Sequence, residues 1–451
     1  MHCVTNIHED LYWLGGSDRQ LAKFENVFPI PRGVSYNAYL VLDEKTVLLD
    51  TVDKAVSGVF FENLTAALGG RTLNYIVVNH MEPDHAATLA EVCERYPGAQ
   101  VMLTAKGAQM AAQFFGDGLR DRLHAVSDGA ELVTGRHHLR FFTAPMVHWP
   151  EVMVTWDETD RVLFSADAFG AFGAVSGFLF ADEVDFARDW LDDARRYYTN
   201  IVGKYGQQVQ DVLAKAATVQ INTICPLHGP VWRDNLPWII EKYDKWSSYT
   251  PEDQGAVMVV YGSVYGGTEN AANILAGKLS EGGVRNVAVY DVSKTHVSEL
   301  IAEAFRCSHI VFASITYNMG IFTPMKNLLM DLQAHNLQNR SYALVENGSW
   351  SPASGKLMNE ILMQMPDMRQ VGDTVTILST TNDESYKKLS DLATQLVQSL
   401  TGTPAPREEE PVAATQWRCK VCDFVYEGDA LPEGYTCPIC GVGADMFEKI
   451  S

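Results

Sequence analysis

Directly after residues 74–78, a run suited to a strand, the chain reads His80-Met-Glu82-Pro-Asp84-His85. Histidines and carboxylates at that density on a loop ask for a metal ion. Three further candidates each stand just beyond a strand-like run: His148 after 139–143, Asp167 after 162–165 and His228 after 221–224. Four such loops at the same ends of strands can converge on one pocket. A lone histidine is usually structural, but position and chemistry agree across all four segments. His2, His8, His124, His137, His138, His296, His309 and His335 have no such company and are expected to be solvated or structural. N/O donors with hard carboxylates and no thiolate suit iron or manganese.

The 451 residues divide by pattern. Residues 1–250 alternate short strands, turns and helices, as an α+β or layered α/β domain does. After Thr250-Pro251-Glu252-Asp253-Gln254 the pattern turns to regular strand–helix alternation through 254–402. Its apolar runs at 255–261, 286–292, 309–314, 342–346 and 375–379, with a last helix at 384–400, predict a doubly wound parallel sheet. Residues 403–415, rich in proline and glutamate, form a linker. The tail, 416–451, is too small for a core of its own and needs a staple. Lys and Arg total 35 against 56 Asp and Glu, a net charge of −21 that excludes a nucleic-acid-binding footprint. No run approaches the ~20 apolar residues of a membrane span. The N-terminus has neither a basic nor an apolar leader segment, so a cytoplasmic protein is expected.

The tail carries Cys419-Lys-Val-Cys422 and Cys437-Pro-Ile-Cys440 with fourteen residues between them. Four thiolates complete a tetrahedral site that admits zinc or iron. Cys3, Cys93, Cys225 and Cys307 have no close partner in sequence and are expected to be reduced, mostly buried thiols. In the middle segment the loop Ser263-Val264-Tyr265-Gly266-Gly267-Thr268 precedes a helix and makes an anion cradle. It lacks the lysine of an ATP-binding loop and the G-x-G-x-x-G of a dinucleotide site. Two more polar loops follow strand ends: Ser314-Ile315-Thr316-Tyr317-Asn318-Met-Gly320 and Asn347-Gly348-Ser349-Trp350. Ligands in open α/β sheets sit outside these ends, and Tyr and Trp there suit a planar ring.

These motifs carry three resemblances. Cys437-Pro-Ile-Cys440-Gly441, Tyr426-Glu427-Gly428-Asp429 and the aromatic set Trp417, Phe424, Tyr426 and Phe447 resemble rubredoxin, a one-iron electron carrier. The gap between the cysteine pairs is shorter than in free-standing rubredoxins, as in fused rubredoxin-like domains. The middle segment resembles flavodoxin, with Ser263 to Thr268 as the FMN phosphate loop and the two later loops against the isoalloxazine. The order H-x-[EH]-x-D-H … H … D … H is that of the metallo-β-lactamase-like fold, whose members are mostly zinc hydrolases with His where this chain has Glu82. With Glu82, with 62, 18 and 60 residues separating the successive motifs, and with Asn37-Ala-Tyr39 and His148-Trp149-Pro150, the chain resembles flavodiiron proteins. Its whole length resembles one with a fused rubredoxin domain, a flavorubredoxin-like arrangement.

The resemblance implies an α/β multidomain chain: a metallo-β-lactamase-like αββα sandwich, a flavodoxin-like doubly wound parallel sheet and a small rubredoxin-like iron domain. It implies one iron on His80, Glu82 and His148, another on Asp84, His85 and His228, and Asp167 bridging them. It implies FMN, a mononuclear iron on Cys419, Cys422, Cys437 and Cys440, and electrons passing from that iron through FMN to the di-iron site. The activity would be reduction of dioxygen to water, of nitric oxide to nitrous oxide, or both. The donor would be an NADH-dependent rubredoxin reductase or similar carrier, and the assembly a head-to-tail homodimer or a dimer of dimers, with neither nucleic acid nor membrane as partner. Trp149 follows a ligand and either shields the pocket or packs in the core. The rival readings are a di-zinc hydrolase with accessory electron-transfer modules and a non-enzymatic electron-transfer or gas-sensing scaffold.

Overall fold

The computed structural model describes residues 3–402, 416–421 and 424–450; the linker 403–415, His2 and Cys422 lie outside them. Two compact units emerge. One holds residues up to Glu252 together with His296–Arg306 and Asp331–Asn339, and the other holds the remainder.

The first unit is built on two sheets. One orders Thr5–Asn6, Leu11–Trp13, Tyr39–Leu42, Thr46–Leu49, Leu73–Val77, Gln100–Thr104 and Leu123–Val126, and turns from antiparallel to parallel between Thr46–Leu49 and Leu73–Val77. The other orders Glu131–Val133, His138–Thr143, Met153–Asp157, Val162–Phe164 and Thr223–Cys225. Period-two alternation sets what each face does. Phe141, Met153, Val162 and Phe164 pack with Tyr39, Val41, Val47 and Leu49 in one core between the sheets. Their neighbours Phe142, Val154 and Leu163 turn outward and meet Val212, Ala216 and Val219, from helix Gly206–Ala216 and the turn that follows it. Helices Ser57–Leu68 and Ala105–Phe115 lie against the first sheet. This is the expected αββα sandwich, and its strand ends carry the four loops singled out above.

The second unit contains a sheet in the order Asn286–Asp291, Asp253–Gly262, Cys307–Tyr317, Ser341–Asn347, then Arg369–Gln370 and Val375–Ile377, all parallel. Val257, Met258, Val259 and Val260 are all buried, as strands covered on both faces require. The order 2-1-3-4-5 puts the switch point between the first and third strands. The expected last helix runs Asp383–Thr401, with Asn382 capping the Ser385 amide. In the tail Val425–Glu427, Gln416–Cys419 and Phe447–Lys449 form an antiparallel sheet over Phe447, Trp417, Phe424, Tyr426 and Tyr435. Cys93, Cys225 and Cys307 are buried, whereas Cys3 is exposed. Among the described residues no helix is long and apolar enough to cross a membrane.

His137, one of the histidines read as structural, is a buried ionic clip. Its Nδ1 lies 2.8 Å or less from a single carboxylate, Asp157 Oδ2 at 2.7 Å, and its Nε2 lies 3.1 Å from Asp10 Oδ2, joining the second sheet to the chain before Leu11–Trp13. Arg136 binds Asp10 and Asp160 beside it. Burial opposes the charge, but Asp157 and Asp10 outweigh it and hold His137 up to about 9. The folded value lies above 6.5, so the clip contributes fully below about pH 6.5 and is lost as pH rises through 9. His137→Gln is expected to cost about 3 kcal/mol at pH 6. The difference in thermal stability from the unaltered chain, measured across pH, should shrink towards pH 10.

Candidate metal centre and cofactor sites

Each metal-site side chain is delivered by a loop whose backbone is tied elsewhere. After Leu73–Val77, Asn79 and His80 are anchored on buried Asp50. Its Oδ1 accepts from the Asn79 amide at 2.7 Å and the His80 amide at 3.3 Å, and its Oδ2 from Asn79 Nδ2 at 2.7 Å. Burial pushes Asp50 up to about 6, and these donors limit the rise. Pro83 then opens the single-turn helix Pro83–Ala86, which sets Asp84 and His85 on one turn. His148 sits in a tight loop closed by the Ala144 amide on Val152 O. Asp167 stands between Ala166 and Phe169, both at positive φ, with Ser165 Oγ donating to Ala168 O at 2.7 Å. The His228 loop is gripped from the N-terminal strands. Asn37 Nδ2 donates to Pro226 O and Gly229 O, and Tyr39 OH to Pro226 O.

The seven side chains meet. His80, Glu82, His148 and Asp167 form one group of donor atoms, all within 4.8 Å of one another, and Asp84, His85 and His228 a second. Asp167 reaches both: its Oδ2 lies 3.0 Å from His148 Nε2 and its Oδ1 3.2 Å from His85 Nε2. Glu82 Oε2 is 3.1 Å from both His80 Nε2 and His148 Nε2. Asp84 Oδ2 is 3.2 Å from His85 Nε2 and 3.3 Å from His228 Nε2. The histidine and aspartate side chains are almost sealed: 0% exposed for His80, His85 and His228, 2% for Asp167 and 8% for His148, with Glu82 and Asp84 at 13%.

This geometry fits metal ions. Both Asp84 oxygens and Asp167 Oδ1 are buried without a hydrogen-bond donor, an arrangement that costs several kcal/mol unless a cation is present. Without metal, burial works against protonated imidazoles, yet Asp84 and Asp167 hold His85 up to about 10, and Asp167 and Glu82 hold His148 up to about 9. Asp167 itself is driven well below the carboxylate range by His85 and His148, against its own burial. Metal binding must therefore displace protons. His228 is set for it, because its Nδ1–H donates to Ser35 O at 2.8 Å and leaves Nε2 bare.

Two carboxylates that serve this centre escaped the sequence reading. Asp50 anchors the His80 loop, and Glu151 Oε1 accepts from His80 Nδ1 at 2.8 Å and from the Met81 amide at 2.9 Å. Asp50 directly follows the buried strand Thr46–Leu49, and Glu151 lies three residues after His148, so proximity to strand end or ligand was the available signal. Trp149 stands edge-on to His80 at 5.4 Å and His148 at 6.3 Å between ring centroids. Phe24, Tyr36 and Tyr197 close on His228 at 5.4, 5.6 and 5.4 Å.

In the second unit a cavity of about 580 Å³ opens at the strand ends, the size of a small-molecule pocket. It is lined by Ser263, Val264, Tyr265, Gly267, Thr268, Ile315, Thr316, Tyr317, Asn318, Asn347, Gly348, Ser349 and Trp350, and by Met319, Ser351 and Ser379, which the sequence did not single out. Gly266, Ser314 and Gly320 stand beside it. Gly266 makes the turn into helix Gly267–Glu281 at φ 86°, Ser314 is buried with its hydroxyl on Ile315 O, and Gly320 pairs in the strand Gly320–Ile321. Thr268 Oγ1 is buried without a partner in the first helical turn, as a phosphate cradle requires. A Cβ on Gly267 would stand 2.2 Å from Ser379 O, so only glycine fits. Tyr265 and Trp350 are 98% and 69% exposed at the rim. In the tail, Cys419, Cys437 and Cys440 sulfurs lie within 4.8 Å of one another; Cys419 and Cys437 are buried and Cys440 is exposed.

Comparison with known proteins finds matches to all three segments. The family model for ODP family beta lactamase matches residues 34–229, that for flavodoxin 259–365 and that for the rubrerythrin, rubredoxin-like domain 417–448. The anaerobic nitric oxide reductase flavorubredoxins of Escherichia coli K12 and Shigella flexneri are each 26% identical, over 99% of this chain and 98% of theirs. The rubredoxin oxygen:oxidoreductase of Desulfovibrio gigas superimposes with a TM-score of 0.82 and 27% identity over 90% of this chain and all of its own. The flavodiiron protein of Giardia intestinalis, at 23% identity and a TM-score of 0.81 over 89% of this chain and 98% of its own, shares the fold. The complement that fits these domains is a non-haem di-iron centre, FMN and one mononuclear iron.

Reciprocal variants separate the sites. Asp50→Ala should weaken metal affinity ten- to a hundred-fold in a competition titration and leave FMN binding unchanged. Gly267→Ala should weaken FMN binding at least ten-fold by flavin fluorescence and leave metal content unchanged.

Proposed function

We propose that this flavorubredoxin-like chain, a flavodiiron oxidoreductase with a fused C-terminal rubredoxin-like domain, reduces dioxygen to water, nitric oxide to nitrous oxide, or both. The observation that carries this reading is the sealed donor set: four imidazoles and three carboxylates, no thiolate, in two groups joined by Asp167. His80, Glu82 and His148 would hold one iron and Asp84, His85 and His228 the other, with Asp167 within reach of both groups. When bound, the metal pair would supply two electrons to a small molecule, and FMN and the tail iron would supply the means of replenishing them.

The chain's own residues select what arrives. With side-chain exposure of 13% or less, the donors suit small diatomic molecules better than extended substrates. Trp149, Phe24, Tyr36 and Tyr197 wall the centre with rings, which favours apolar gases over water. Two nitric oxide molecules take two electrons and two protons to give nitrous oxide and water; dioxygen takes four of each to give two waters. In the second unit Gly267, Thr268 and the helix start would hold the flavin phosphate, and Tyr317 and Trp350, on the cavity wall, would be available to the ring.

Exposed Cys440 is the entry point for electrons from an NADH-dependent rubredoxin reductase or similar carrier. The tail holds three basic and six acidic residues, so the docking face of that donor is basic and tail reduction slows as salt is raised. A head-to-tail homodimer is the proposed assembly.

The test is anaerobic nitric oxide consumption against dioxygen consumption, with one donor and one enzyme batch. His148→Ala should abolish both while flavin reduction continues at the wild-type rate. Zinc in place of iron at the first-unit site would sink the reductase reading in favour of a hydrolase.

A further inference from the structure

The two metal positions carry matched donors: each has two imidazoles, one carboxylate of its own and a share of Asp167. A difference between them must come from what the ligands touch next. His80 Nδ1–H donates to the buried carboxylate of Glu151 at 2.8 Å. His228 Nδ1–H donates to a neutral carbonyl, Ser35 O, at 2.8 Å. His85 Nδ1 is buried and meets no protein acceptor. The hydrogen bond at His80 Nδ1 thus goes to a full negative charge and that at His228 Nδ1 to a dipole, while buried Asp50 acts on His85 through space without a hydrogen bond to its ring.

Glu151 is held for this task. It is 3% exposed, its Oε1 also accepts the Met81 amide, and Thr104 Oγ1 donates to its backbone oxygen at 2.9 Å. Its Oε2 is buried without a donor, so His80 is the one side chain that the carboxylate's hydrogen bonds reach among the described residues. An anion bonded to a ligating imidazole makes the metal-side nitrogen a stronger donor, which stabilises the more oxidised metal.

We propose that Glu151 is a positioning residue that, through His80, makes the metal held by His80, Glu82 and His148 the harder of the two to reduce. With both positions filled, the first electron would settle at that of Asp84, His85 and His228, and the second at the one Glu151 supports. No bond is made or broken at Glu151. The inference rests on the di-iron reading above.

The test is an anaerobic reductive titration of the ⁵⁷Fe-loaded full chain, followed by Mössbauer and EPR spectroscopy, with Glu151→Gln beside the unaltered protein. Gln keeps the hydrogen-bond acceptor and removes the charge. The expected result is a lower-potential step that moves up towards an unmoved upper step, with a several-fold smaller maximum of the half-reduced form. A variant with two irons whose steps keep their spacing, or whose upper step moves instead, overturns the proposal. Failure of the unaltered chain to hold two irons overturns the di-iron reading instead. A second measurement needs no variant. In zinc-loaded, ¹⁵N-histidine-labelled wild-type chain, the His80 Nδ1 proton should resonate downfield of that of His228, and equal shifts overturn the proposal.

Discussion

Charge buried at one end of the sandwich governs the first unit. Asp84, Asp167 and Glu82 are carboxylates placed where solvent barely reaches, and four imidazoles crowd the same space. Such a set is unfavourable unless cations balance it and unless every neighbouring backbone group finds a partner of its own. Asp50 takes up the amides of the His80 loop, and Ser35, Asn37 and Tyr39 take up the polar groups around His228. The loops' own polar atoms are therefore satisfied, which leaves the donor side chains facing one another in a space that a metal ion would fill.

The fold was legible where periodicity was strong. The both-face apolar runs of the second unit identified its strands, and the ligand loops were found because each follows a strand-like run. Register, sheet partners and the outer hydrogen bonds were not legible, since they depend on contacts between distant segments. Glu151 and Asp50 carry no motif: a single carboxylate after a strand or near a ligand is too common to single out. His137 looked like any isolated histidine, because Asp10 and Asp157, its partners, are brought to it by sheet pairing. Gly266 in the phosphate loop and Ser314 and Gly320 in the ring-binding loops were grouped with their neighbours by proximity in sequence, yet they stand beside the cavity, and Met319, Ser351 and Ser379 lie on its wall.

The two larger sites follow one design by different chemical means. Each lies at strand ends, where loops bring together residues far apart in sequence. In the first unit imidazole and carboxylate side chains do the work. In the second a helix start, a glycine pressed against Ser379 and the Thr268 hydroxyl make a cradle that is largely backbone. The tail reaches similar closure on a much smaller scale, with sulfur donors and a few aromatic rings replacing a large core.

The grip of Ser35, Asn37 and Tyr39 on the His228 loop also sets a timetable. Ser35 and His228 are 193 residues apart, and the donor set is incomplete until His228 has left the ribosome. Early strands must wait for a late loop, so the first unit closes by long-range contacts, which form slowly. Metal capture is then a closing event in the birth of this domain: six of the seven ligands precede the last one in the growing chain.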